Sequence, residues 1–205
     1  PWVNAQPGSL QKLGVLLFVS KQSGLENLEV VKSYTRNDTF KPLPGYKTLS
    51  SHYHHEHSMD FITKQREQNT TGIPAGLEDP DFVNFFKRMG VDMVHMAEFH
   101  FGRTPRLDTD ERLAELKVMH DEFARLSTDD FLLIPGEEPN VHLGGHWLSL
   151  FPKPVYWVLN QNQGQPFEQN VPGYGKVYHV GDANDVLSLL EQENGLAWTA
   201  HPRVK

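Results

Sequence analysis

The chain has 205 residues, room for one domain or for a large domain with part of another, and its 38% hydrophobic and 22% charged content describes a folded rather than a disordered protein. Its 19 basic against 26 acidic residues give a net charge of -7 with no basic stripe, which argues against a nucleic-acid partner, and no apolar run approaches the roughly 20 residues of a membrane-spanning helix. Cysteine is absent, which excludes disulfides and thiolate metal sites, so imidazole and carboxylate must hold any transition metal.

Residues 1–44 read as strands and turns, with apolar runs at Val15–Val19 and Leu28–Val31 separated by Ser23-Gly24. This segment begins without an initiator Met and without the basic-then-apolar order of a signal peptide. It is expected to be the end of a preceding β-rich domain. From residue 45 the texture changes to alternating strands and helices, which predicts an α/β fold with a parallel sheet or barrel over 45–205.

The first strand-like stretch, Tyr46–Leu49, runs into Ser51-His52-Tyr53-His54-His55-Glu56-His57. On a strand, residues two apart face the same way, so His52 and His54 can address one ion, and His55 and His57 another from the opposite face. Taken alone, a solvated histidine-rich loop would look the same. Asp79-Pro80 then opens a helix with Phe82, Val83, Phe85, Phe86 and Met89 apolar and Gly90 as its stop. The strand Val91–Ala97 follows and finishes in Glu98-Phe99-His100, with His95 inside it expected to be structural.

A longer helix begins near Asp108-Thr109 and sets Leu113, Leu116, Met119, Phe123 and Leu126 along one face, with His120 expected to be structural. The strand Phe131–Ile134 is expected to end in a turn at Pro135-Gly136, followed by Glu137-Glu138. His142 and His146 flank Gly144-Gly145 ahead of the apolar stretch Trp147–Phe151. Trp147, Trp157 and Trp198 are expected in the core, with one of them a candidate to line a pocket. His179 is left open between a structural and a functional role. A last helix, Ala183 to about Glu193, leads into Leu196–Ala200 and then His201-Pro202-Arg203.

All 11 histidines lie after Ser51, and histidines or glutamates recur where successive inferred strands end. In parallel α/β folds those ends are where sites are built. Singly, Glu98 or Glu138 reads as a solvated charge; together the clusters argue for a shared metal site. Its expected ligands are His52, His54, His57, Glu98, His100, Glu138, His146 and His201. Glu138 is the natural bridge between two divalent ions, and two such ions are hydrolytic equipment. Arg203 can meet an anionic part of a small-molecule substrate through its fork of donors, or form a surface ion pair.

These motifs resemble the PHP superfamily of metallohydrolases, named for polymerase and histidinol phosphatase, and within it the subgroup similar to carbaryl hydrolase. His52-Tyr53-His54 resembles the family's opening His-x-His. Ala97-Glu98-Phe99-His100 resembles its Asp-His strand end with one residue inserted, and Pro135-Gly136-Glu137-Glu138 its Pro-Gly-x-Glu. Gly145-His146-Trp147-Leu148 and Ala200-His201-Pro202 resemble the later histidine motifs. The acidic residue five places after the second histidine falls one later here, at Asp60, with His57 as a substitute. The family's closing Asp-x-His would lie beyond Lys205. The resemblance implies a distorted (β/α)7 barrel, truncated in this chain, with two or three Zn, Mn or Fe ions and hydrolysis of a phosphoester or of a carboxylic ester, carbamate or amide. The rival expectation is a non-catalytic binding module with a structural zinc.

Overall fold

The local signals at the helix ends work as their chemistry requires. In the computed structural model, which describes residues 10–21, 24–35, 43–98, 108–159 and 164–201, Asp108 caps α3 (Thr109–Leu126) by accepting from the Glu111 N–H. Asp182 does the same for α4 (Ala183–Gln192), accepting from Asn184 and Asp185. Helix α2 (Asp81–Met89) follows Pro80 and stops at Gly90, whose φ of 74° is the left-handed value a side chain resists and whose N–H bonds the Lys87 carbonyl. Helix α1 (His57–Gln68) has no side-chain cap and only a weak apolar stripe, so the sequence carries little signal for it.

The chain divides into two units, Pro1–Gly45 and Tyr46–Lys205. In the first, β1 (Leu10–Lys21) and β2 (Gly24–Thr35) pair as an antiparallel hairpin, from Leu10 opposite Thr35 to Lys21 opposite Gly24.

The second unit is a mixed α/β structure around a curled five-stranded sheet in the order β10-β6-β5-β4-β3. Strands β3 (Leu49–Tyr53), β4 (Met93–Glu98) and β5 (Leu132–Glu137) are parallel, as expected from the intervening helices. The expectation of a parallel sheet fails for the rest: β6 (Trp147–Leu150) runs antiparallel to β5, and β10 (Leu196–Thr199) antiparallel to β6. The reason is the connection. No helix crosses over between β5 and β6, and the loop of residues 138–146 simply reverses the chain.

One face of the sheet packs on α2 and α3 through Val94, Met96 and Leu133 against Phe82, Phe86, Leu116 and Phe123. A second sheet lies downstream, in the order β7-β9-β8: β7 (Tyr156–Val158) is parallel to β9 (Gly175–His179), and β8 (Glu168–Val171) antiparallel to it. Trp157 and Tyr178 of this sheet join Trp147, Val186 and Leu189 in a second core. Trp147 and Trp157 are thus core residues, as expected, while Trp198 is only half-buried.

Pro135-Gly136 does not form the expected turn; β5 continues through both residues to Glu137. Packing overrides the local turn preference. Gly136 pairs with Ala97 on one side and Leu150 on the other, and a Cβ there would sit 2.0 Å from His95 Nε2. That close approach is what requires glycine.

Candidate metal centre

One edge of the five-stranded sheet gathers four of the chain's eleven histidines. The parallel strands β3, β4 and β5 present their C-terminal ends there. Because β6 is antiparallel to β5, its N-terminal end reaches the same edge, which places His146, one residue before β6, beside Glu138, one residue after β5. Strand β10 reverses again, so His201, two residues beyond it, joins them. The Ala200 N–H donates to the His146 carbonyl at 3.1 Å and the Glu138 N–H to the Glu98 carbonyl at 2.9 Å, which fixes the backbones that carry the ligands.

Four imidazoles converge on the Glu138 carboxylate, which is itself 1% exposed. His52 Nε2 lies 2.9 Å and His54 Nε2 2.8 Å from Oε2; His146 Nδ1 lies 2.7 Å and His201 Nε2 3.1 Å from Oε1. His52 and His54 Nε2 are 2.9 Å apart. The two oxygens therefore face separate pairs, and the triads His52, His54, Glu138 and Glu138, His146, His201 could each hold a metal ion. Burial pushes the Glu138 carboxyl up, but hydrogen bonds from His52 and His146 and the charges of His52 and His54 outweigh it and hold the group below the usual carboxylate range.

The tautomer of His54 follows from its surroundings. His54 Nδ1 is 2.8 Å from the Ala97 carbonyl, which can only accept, so Nδ1 carries the hydrogen and Nε2 keeps a lone pair in the neutral ring. That lone pair faces a carboxylate oxygen and a second imidazole nitrogen. The lone pair and the carboxylate oxygen are both acceptors, an arrangement that a metal ion or a proton between them would relieve. Tetrahedral zinc, with bonds of about 2.0–2.2 Å, sets donor atoms about 3.3 Å apart, so the triad admits an ion after spreading by a few tenths of an ångström.

Not every expected ligand joins. His57 begins α1 and turns inward: it is fully buried and its Nε2 meets Glu122 Oε2 at 2.9 Å, outside both triads. The same Glu122 takes two bonds from Arg125, at 2.7 Å and 2.6 Å, and Arg125 also donates to the Leu77 and Glu78 carbonyls. The expected His55 and His57 pair is in neither triad, because the helix start turns the histidine-rich run out of strand geometry. Glu98 is also outside the triads; its buried carboxyl accepts from Ser58 Oγ at 3.0 Å. Burial raises it to about 8 against the Ser58 hydrogen bonds, with Glu115 nearby adding to the rise. His100 and Arg203 lie outside the described residues.

His95 and His120 have the structural roles expected of them. Each is buried and donates through Nε2 to a backbone carbonyl, Ser149 at 2.8 Å and Val155 at 3.2 Å, and burial lowers both pKa values. His179 is buried beside Gln165 and Gln169. Two partnerships escaped sequence reasoning: the Ala97 carbonyl that orients His54, and the Glu122 and Arg125 pair that claims His57. The i, i+3 spacing of Glu122 and Arg125 marks a local ion pair, but nothing in it points to a residue 65 positions upstream.

No protein-family model matches the chain, and no curated protein or solved structure is significantly similar to it.

Proposed function

We propose that the Tyr46–Lys205 unit is a metal-dependent hydrolase domain of the PHP kind, working on a small-molecule ester or a related carboxylic derivative. The observation that carries this reading is the division of Glu138, with one oxygen facing His52 and His54 and the other His146 and His201. A bridging carboxylate with two imidazoles per side suits Zn, Mn or Fe. A curled sheet with ligands at the ends of its strands is consistent with part of a (β/α)7 barrel.

Divalent ions held by His52, His54, Glu138, His146 and His201 would supply Lewis-acid chemistry and a water activated at neutral pH. The residues supply the rest. Glu138 holds both ligand pairs to a common centre. His54 is locked by the Ala97 carbonyl, so its donor atom is aimed before anything binds. His201 is 55% exposed and His54 39%, which leaves the centre open to a substrate from solvent, unlike a closed structural zinc site.

The test compares protein stripped with a chelator against protein reloaded with Zn²⁺ or Mn²⁺, on nitrophenyl phosphate, acetate and carbamate. Metal-dependent turnover of at least one, lost in Glu138→Gln, is expected. Turnover that survives stripping overturns the reading. Stoichiometric metal without turnover of any ester leaves a metal-binding module instead.

A further inference from the structure

On the helix-covered face of the five-stranded sheet, Val94, Met96 and Leu133 are apolar, and the last row before the ligands is not. Glu98 of β4 stands opposite Glu137 of β5, and Glu137 opposite Ser149 of β6. All three are buried. Each is tied to the ligands beside it. The Glu98 carbonyl accepts from the Glu138 N–H at 2.9 Å, and Glu137 directly precedes Glu138. Ser149, three residues after His146, accepts through Oγ from the Glu137 N–H at 3.2 Å. Carboxylates buried in one row are costly unless a cation is supplied.

The cation comes from α3. Arg112, in its first turn, is the one buried lysine or arginine among the described residues of the Tyr46–Lys205 unit. Its Nη1 lies 2.5 Å from Glu115 Oε2, and its Nη2 meets Glu137 Oε1. Glu98 completes the group, held by Ser58 Oγ of α1 and near enough to Arg112 and Glu115 to feel both charges. An i, i+3 pair on a helix is ordinarily exposed and adds little to stability. The pair of Arg112 and Glu115 is instead sealed against a strand end, one residue from the carboxylate that both histidine pairs share. A planar fork of donors holds two carboxylates in fixed directions, which a lysine ammonium cannot do.

We infer that Arg112 is a positioning residue of the metal centre: by gripping Glu137 and Glu115 together it fixes the end of β5 against α3, and so sets where Glu138 presents its two oxygens to the histidine pairs. This rests on the metal-centre part of the hydrolase reading above. Arg112 acts through Glu137. The consecutive glutamates have opposite tasks, Glu137 anchoring the strand end to the helix and Glu138 facing the four imidazoles. Without the guanidinium, Glu137 is a buried anion that has lost its cation. The strand end then relieves the charge by moving, and Glu138 moves with it.

The experiment measures Zn²⁺ affinity by competition with a chromophoric chelator, and the visible spectrum of the Co²⁺-loaded protein, in the parent, Arg112→Met, Arg112→Lys and His57→Ala. The spectrum reports the geometry around the ion, which a loss of stability alone leaves unchanged. Arg112→Met is expected to bind Zn²⁺ about tenfold more weakly or worse, in the range of outer partners of metal ligands, and to alter the Co²⁺ spectrum. Arg112→Lys keeps the charge without the fork and is expected to restore part of the affinity. His57→Ala, which breaks a buried pair elsewhere, is expected to keep the parent's affinity and spectrum. A folded Arg112→Met with the parent's affinity and spectrum overturns the inference, as does a His57→Ala that shifts both as far as Arg112→Met does. If Arg112→Met does not fold, Arg112→Lys decides: an undiminished affinity with an unchanged spectrum overturns the inference, and a reduced affinity with an altered spectrum supports it. A parent that takes up neither ion overturns the metal-centre reading and this inference with it, whereas a parent that binds both, beside unaffected Arg112 variants, overturns this inference alone.

Discussion

Two glutamates in this molecule meet histidines at the same 2.9 Å, and they sit in opposite kinds of place. Glu122, near the C-terminal end of α3, faces one imidazole and one guanidinium, and His57 and Glu122 are both buried. Glu138, just past the end of β5, faces four imidazoles and no permanently charged partner among the described residues. The first carboxylate is balanced by Arg125 and ties α1, α3 and the segment at residues 77–78 together. The second has two imidazoles against each of its oxygens. Where cationic charge is already supplied, as at Glu122, a histidine beside a carboxylate serves as a structural pair; where it is not, as at Glu138, the group could hold a metal ion.

The largest effect that separates the two sites is on metal. Glu138→Gln is expected to reduce the affinity for divalent ions by about 100-fold or more, as the loss of a shared ligand should exceed the 10–100-fold typical of outer partners. Metal analysis after dialysis checks this, and a His52→Ala, His54→Ala double variant should lose metal as well. Equal metal content in parent and variants would remove the distinction drawn here.

The reverse pattern is expected for His57→Ala, which should cost about 2–4 kcal/mol of stability by urea denaturation, because the buried pair with Glu122 is broken and a cavity opens among Phe61, Phe82 and Phe123. Its metal content should match the parent's. A loss of metal without a loss of stability would return His57 to the ligand set.

A smaller effect distinguishes the two by pH. Burial pushes Glu122 up, but its bonds to Arg125 and His57 prevail and hold it below the usual carboxylate range. With a folded value below the unfolded one of about 4.3, its stabilisation is present above that pH and is lost as pH falls through the folded value. The stability gap between the parent and Glu122→Gln should therefore be full near pH 6 and shrink below about pH 4. A gap that stays constant from pH 6 to pH 3 would mean that the carboxylate's charge does not matter there.

The smallest effect sets the baseline. Lys117 and Asp121 pair at 2.6 Å on an exposed face of α3, and Lys117→Ala should change stability by less than about 0.5 kcal/mol in the same denaturation assay. A cost comparable to that of His57→Ala would show that burial is not what sets the two kinds of pair apart.

What could be read from the sequence was whatever is encoded within a few residues. Asp108 and Gly90 mark helix ends by chemistry that acts over one turn, and α2 and α3 lie where their apolar faces place them. The alternation of histidine and glutamate with apolar runs likewise marked His52, His54, Glu138, His146 and His201, all of which meet at one sheet edge. The tertiary structure decided the rest, since direction and partnership are properties of pairs of distant segments. The reversal of β6 and β10 brings His146 and His201 to the side of the sheet that holds His52 and His54. The inward turn of α1 gives His57 to Glu122, and the depth of the sheet keeps Glu98 with Ser58. Only packing keeps Pro135-Gly136 inside a strand, because the local preference for a turn is worth less than the sheet bonds and the room that His95 needs.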